Sequence, residues 1–186
     1  MGNYEWRKVG GLRLRMAILQ KKICLLGDFA VGKTSLVRRF VDERFDDRYL
    51  STIGVKISRR LLHLAGLDFN FLIWDLAGGD DYVKAQAGYL RGAAGALIVC
   101  DLTRSETLSV FHRYTEQMLA VNEGASFVFL ANKVDLIDQR QISDMDLQTI
   151  QAEYHVPVLL TSAKTGENVS KAFAFLAEQI VQNSKK

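Results

Sequence analysis

The residues best suited by type and spacing to do chemistry lie in "GDFAVGKTS", Gly27 to Ser35. The stretch fits G-x-x-x-x-G-K-[ST]. It follows an apolar run of strand length (Lys22–Leu26) and opens a helical pattern (Leu36, Val37, Phe40, Val41), the context that motif requires. Glycine at Gly32 lets the backbone wrap close to a phosphate. The peptide N–H groups along Phe29, Ala30, Val31, Gly32, Lys33, Thr34 and Ser35 can form an anion nest at a helix N-terminus. Lys33 would bring a point charge to the β- and γ-phosphates, and the Thr34 hydroxyl would ligate Mg²⁺. The chemistry indicated is the binding of a nucleoside triphosphate.

The base is specified further along. "NKVD" (Asn132–Asp135) follows an apolar run directly. A carboxylate at Asp135 can accept two hydrogen bonds from the ring N–H and exocyclic amine of guanine. Adenine offers no such donor pair on that edge, so it would leave the carboxylate unpaired, and sites of this kind discriminate by several powers of ten. "TSAK" (Thr161–Lys164) follows the last strand-like run, where a backbone N–H among Ser162, Ala163 and Lys164 can meet guanine O6. Each tetrapeptide alone is weak, because Asn, Asp and Ser populate turns anyway. In this order, each at a strand's carboxyl end where open α/β sheets bind ligands, they reinforce one another.

Apolar runs of strand length recur at Lys22–Leu26, Val55–Leu64, Phe69–Trp74, Ala96–Cys100, Phe127–Ala131 and Val158–Thr161. Helical spacing follows the fourth of these (Leu108, Phe111, Met118, Leu119), opened by a Thr103–Glu106 pair that matches a capping box. Another apolar stripe runs through Val169, Ala172, Phe173, Leu176 and Ile180. Strands alternating with helices predict a single α/β domain built on a mostly parallel sheet. "LHLAGLDF", with its short Ala65–Gly66 link, makes one strand antiparallel.

Composition is that of an ordinary globular chain, 48% apolar and 24% charged, and its longest apolar runs are far short of a membrane span. Cys24 and Cys100 sit inside apolar runs and read as buried thiols in a reducing cytoplasm. His63, His112 and His155 are scattered without metal spacing. The net charge of +3 misleads. Residues 1–22 hold six Lys or Arg against Glu5, a net of +5, which leaves the remainder at −2. Basic character therefore belongs to an extension, residues 1–20, expected to be poorly ordered, and nucleic-acid binding by the domain is not indicated. The domain itself is placed at 21–182, with a short polar tail at 183–186. "MGNYEW" lacks a myristoylation signal and "NSKK" has no cysteine to prenylate, so no lipid anchor is evident.

With these motifs in hand, the chain resembles the Ras superfamily of small GTPases, most nearly the Rab branch, over about residues 21–182. Besides the three motifs, "YLSTIGVKI" (Tyr49–Ile57) is similar to a Rab switch I. "WDLAG" stands at switch II, and "YLRGAAGALIVCDLT" and "TSAKTGENV" follow. The resemblance implies a P-loop small G-domain with a six-stranded, mostly parallel sheet, one antiparallel strand and about five helices. It further implies GTP/GDP and Mg²⁺ as ligands, and effectors, an exchange factor and an activating protein acting through switches I and II. A monomer is expected. By the same resemblance Thr52 touches Mg²⁺ and the γ-phosphate, Asp75 holds Mg²⁺ through water, and the Gly78 N–H senses the γ-phosphate. Phe45 packs edge-on against guanine, Tyr49 lids the phosphates, and the Lys133 stem lies over the base. Lys33, Thr52 and Gly78 are then the residues expected to act on the γ-phosphate.

The chain departs from the family pattern at two places. Gly79 stands where relatives carry the glutamine that orients the attacking water, and Phe29 and Ala30 occupy phosphate-loop positions that are glycine in Ras proteins. Both changes predict slow hydrolysis with affinity largely kept, and a need for a partner to orient the water. Asp80, Asp81 and Gln86 lie near but are assigned no part in it. The rival reading is a non-hydrolysing GTP-binding scaffold; an ATP-dependent enzyme is disfavoured by Asp135. Trp74 and Tyr89 match two of three aromatics on a Rab effector patch, while the third position is Ile57. A soluble prokaryotic relative of the family would account for that change and for the missing anchor.

Overall fold

The structure is a computed structural model that describes residues 3–9, 12–46, 51–64, 67–78 and 88–184, with 3–9 and 12–17 as backbone alone. Its strands are β1 (Asn3–Val9), β2 (Leu12–Gly27), β3 (Val55–Leu64), β4 (Leu67–Leu76), β5 (Gly95–Asp101), β6 (Ser126–Asn132) and β7 (Val158–Thr161). Six of them form the expected sheet in the order β3-β4-β2-β5-β6-β7. Only β3 runs antiparallel to its neighbour along that path. Parallel strands need crossover connections that return the chain over a face. The helices α1 (Lys33–Asp42), α2 (Val110–Leu119), α3 (Asp144–Tyr154) and α4 (Val169–Asn183) cover both faces, and residues 88–90 are helical as well.

Side chains alternate across the central strands. Ile23, Leu25, Leu97, Val99, Val128 and Leu130 face one core with α1 and α4, where Phe40 and Phe173 stack with ring centroids 3.8 Å apart. Cys24, Leu26, Ile98, Cys100, Phe129 and Ala131 face the other core with α2 and α3. Two buried faces explain why these strands read as unbroken apolar runs. Among the described residues no helix is long and apolar enough to cross a membrane.

Two sequence expectations are corrected. The extension expected to be poorly ordered includes β1, which pairs antiparallel with the first half of β2, from Asn3↔Ile18 to Val9↔Leu12. β2 thus runs ten residues upstream of the predicted start at Lys22, and β1 adds a seventh strand and a second antiparallel pair. The physical reason is visible in the alternation of "LRLRMAI", which has the period of a strand. The Thr103–Glu106 capping box does not form. The Thr103 hydroxyl donates to Asp101 Oδ1 at 2.7 Å, and α2 is entered through a 3₁₀ turn, Ser105–Ser109. A capping box closes instead at the start of α3, between Ser143 and Asp146. The Ala65–Gly66 link lies outside the described residues, although the strands it joins pair up to Leu64↔Leu67.

Burial pushes the thiols of both Cys24 and Cys100 up to about 12. The nucleophile in thiol exchange is the thiolate. Neither cysteine should therefore react with an aromatic disulfide reagent at pH 8 in the folded chain, and both should react at once in denaturant. Rapid release of one chromophore equivalent from native protein would contradict this burial.

Candidate functional site

The parallel strands bring their carboxyl ends to one rim. The register sets Asp101 opposite Asn132 and Asn132 opposite Thr161, so the loops after β5, β6 and β7 begin in one row. The loop after β2 meets them from the side, and together they border a cavity of about 320 Å³. On its phosphate-loop side lie Phe29, Ala30, Gly32, Lys33, Thr34 and Ser35; Phe45 and Thr52 come from the segment after α1. Gly78, Asn132, Lys133, Asp135, Ala163 and Lys164 complete the predicted set along the wall. Three predicted residues stand behind that wall. Val31 is fully buried in the core, Ser162 is fully buried beside Asp135, and Asp75 is fully buried beneath Thr34. Tyr49, Gly79, Asp80, Asp81 and Gln86 lie outside the described residues.

The phosphate loop has the shape an anion nest needs. Gly32 caps α1 with φ of 101° and Ala30 has φ of 60°, both left-handed. A Cβ on Gly32 would lie 2.3 Å from Asn132 Nδ2, so only glycine fits there. Asn132 in turn braces two segments, the phosphate loop and the "TSAK" stretch. Its Nδ2 donates to the Val31 carbonyl at 2.9 Å, and its Oδ1 accepts from Thr161 Oγ1 at 3.3 Å and from the Ala163 N–H at 3.2 Å. Ser162 Oγ donates to Asp135 Oδ1 at 2.6 Å and accepts from the Thr165 N–H at 3.0 Å, which aims the Asp135 carboxylate.

Lys33 Nζ donates to the carbonyls of Gly27 and Asp28 at 2.8 and 2.7 Å. Burial pushes its ammonium down to about 8. Asp75 and Asp28 counter that shift, and Arg104 adds to it. The Thr34 hydroxyl lies 2.6 Å from both Thr52 Oγ1 and Asp75 Oδ2. Burial holds the Asp75 carboxyl above the usual range, a shift the Thr34 hydrogen bond and Lys33 only partly offset, and its Oδ1 has no hydrogen-bond partner. Gly78 passes close by: a Cβ there would lie 2.6 Å from Lys33 Nζ and 2.5 Å from the Asp28 carbonyl oxygen. Three hard oxygens converge, Thr34 Oγ1, Thr52 Oγ1 and Asp75 Oδ2, with the unpartnered Asp75 Oδ1 on the same carboxylate, and the donor set fits Mg²⁺. Among the described residues no cluster of His, Cys, Asp and Glu suggests another metal site.

Two residues bordering this region were assigned no role from the sequence. Asp101 is fully buried, and its Oδ2 takes Lys133 Nζ at 2.6 Å and Arg104 Nε at 3.0 Å. The available signal was a carboxylate closing the apolar run "GALIVCD", in register with Asn132. Arg104 then reaches across to the Phe29 carbonyl at 2.8 Å, a contact spanning 75 positions that no local pattern reveals.

Replacing Asn132 by Ala leaves the Val31 carbonyl and the Ala163 N–H buried and unpaired. The nucleotide-free chain should lose about 2–4 kcal/mol in urea unfolding. A loss under about 0.5 kcal/mol would show that the amide is no brace.

Comparison with known proteins agrees with this arrangement. A profile of the Ras family matches residues 22–182. Ras-related protein Rab-22A of Homo sapiens is 35% identical over 166 residues, covering 89% of this chain and 86% of its own. Ras-related protein RABA5b of Arabidopsis thaliana is 35% identical over 163 residues, 87% of this chain and 75% of its own. GTP-binding protein ypt1 of Schizosaccharomyces pombe is 34% identical over 161 residues, 86% of this chain and 79% of its own. Matched from the core of β2 to the last turn of α4, the chain belongs to the Ras family and is a Rab-like small GTPase.

Proposed function

We propose that the chain is a guanine-nucleotide switch that binds GTP and GDP with Mg²⁺, hydrolyses GTP slowly and relies on a partner to complete the reaction. The observation that carries this reading is the pairing of a Ser162-aimed Asp135 carboxylate with the Lys33–Thr34 cradle on one cavity wall system. Asp135 would accept the guanine ring N–H and amine, Ala163 and Lys164 would approach O6, and the Lys133 stem and Phe45 would sandwich the base. Thr34, Thr52 and, through water, Asp75 would hold the ion, which supplies charge neutralisation at the β- and γ-phosphate oxygens. Lys33 would balance the same oxygens from the other side. Thr52 and the Gly78 N–H would engage the γ-phosphate only in the triphosphate state, so switches I and II would order and relax with it. Exchange factor, activating protein and effectors would read those two segments on a monomeric, cytoplasmic chain.

Hydrolysis in such sites is positioning plus charge stabilisation. Gly79 offers no amide to orient water. Phe29, half exposed at the cavity, crowds the path of an arginine supplied from outside. These two residues favour a second reading, a GTP-binding scaffold that does not hydrolyse.

Single-turnover release of labelled phosphate from GTP separates the two readings. The unaltered chain should fall below the order of 10⁻⁴ s⁻¹ typical of intrinsic hydrolysis with glutamine present. Gly79→Gln should raise it about tenfold with unchanged GTP affinity. No release from either protein would favour the scaffold. For the base, Asp135→Asn should transfer preference from guanine to xanthine nucleotides by about two powers of ten or more. An unchanged preference would remove Asp135 from the base site.

A further inference from the structure

Asp101 is a fully buried carboxylate with an unusual load of donors. Its Oδ1 accepts the Thr103 N–H at 3.0 Å and the Thr103 hydroxyl at 2.7 Å, while its Oδ2 takes both Lys133 Nζ and Arg104 Nε. Burial alone would push its carboxyl up, yet the hydrogen bonds from Lys133 and Thr103 hold it below the usual range. It stays an anion between two cations. Those cations lead to opposite ends of the cavity. Lys133 belongs to the base-recognition loop and is held there in a left-handed conformation, φ 69°. Arg104 uses a second edge of its guanidinium, Nη2, to donate to the Phe29 carbonyl of the phosphate loop. The next residue of that loop toward β2, Asp28, is held by Arg113 from α2. Arg104 itself does not line the cavity, so it can act only through what it holds.

We propose that Arg104 is a positioning residue of the nucleotide site: its planar fork ties the Phe29 carbonyl to Asp101 and, through Asp101, to Lys133, so that the phosphate loop and the base loop grip a nucleotide as one unit. This rests on the reading that the cavity takes a guanine nucleotide. The consequence is slow release. A nucleotide leaves when either loop yields, and the Asp101–Arg104 bridge makes each loop's displacement break a charge-assisted hydrogen bond belonging to the other. Lysine cannot replace the arginine, because one ammonium on a flexible stem does not span Oδ2 and the Phe29 carbonyl in a fixed geometry.

The test is release of fluorescent mant-GDP from the full chain with Mg²⁺ present. The unaltered protein is compared with Arg104→Ala, Arg104→Lys, Asp101→Asn and the Asp101→Asn/Arg104→Ala pair. Both Arg104 variants should release about tenfold faster, the scale of one charge-assisted contact. The double variant should be no faster than Asp101→Asn alone, because the two residues act as one bridge. The ratio of GDP to IDP affinity, set by Asp135 and Ser162, should not move in the Arg104 variants. Release within twofold of the unaltered chain in Arg104→Ala, full rescue by lysine, or additive effects in the double variant would each overturn the proposal. If the unaltered chain binds no mant-GDP, the guanine-nucleotide reading fails and this inference falls with it. If it binds while the variants release normally, this inference alone fails.

Discussion

Asn132 stands where the two halves of the site meet, and its fit against Gly32 constrains everything around it. The amide holds the Val31 carbonyl on one side and the Ala163 N–H on the other, with Gly32 so close that no side chain can enter. Phosphate loop and base loop come from strands far apart in the chain, β2 against β6 and β7. A ligand spanning both needs their separation fixed before it arrives, because ordering them on binding would cost affinity. A buried amide making three hydrogen bonds does this more rigidly than apolar packing, since its hydrogen bonds have direction. The parallel register makes the arrangement possible by delivering Asp101, Asn132 and Thr161 in one row.

The electrostatics of the cavity run in the same direction. Lys33 is buried with only carbonyls as hydrogen-bond partners, and Asp75 is buried with one oxygen unpaired. Burial moves each toward its neutral form. Such charges are costly to keep in a protein interior unless something compensates them. A polyphosphate against Lys33 and a divalent cation against Asp75, Thr34 and Thr52 would supply both compensations at once. Asp101 shows the contrasting solution nearby: its charge is met by Lys133 and Arg104 within the protein, and its acidity moves in the opposite direction.

Much of this was legible in the sequence because the relevant signals are local. Val55–Leu64 and Val158–Thr161 have the bounds their apolar runs predict, and Lys33, Thr34, Asn132 and Asp135 announce themselves by motif. Signals that depend on distant partners were not readable. Arg104 has no motif, and its value lies in reaching Phe29 and Asp101 together. Thr103 looks like a helix cap until the Asp101 carboxylate takes its hydroxyl. The β1–β2 hairpin was hidden by its own charge: six basic residues before position 23 read as a solvated terminus, while the period-two alternation beneath them was the structural signal.

The claim on which the account depends is that one wall of the cavity selects guanine and the other takes its phosphates. Calorimetric titration of nucleotide-free chain with GDP and with ADP, each with Mg²⁺, addresses it most directly. The account predicts saturable heat with GDP and affinity for ADP weaker by about three powers of ten or more. Comparable binding of the two, or no heat from either, would contradict it.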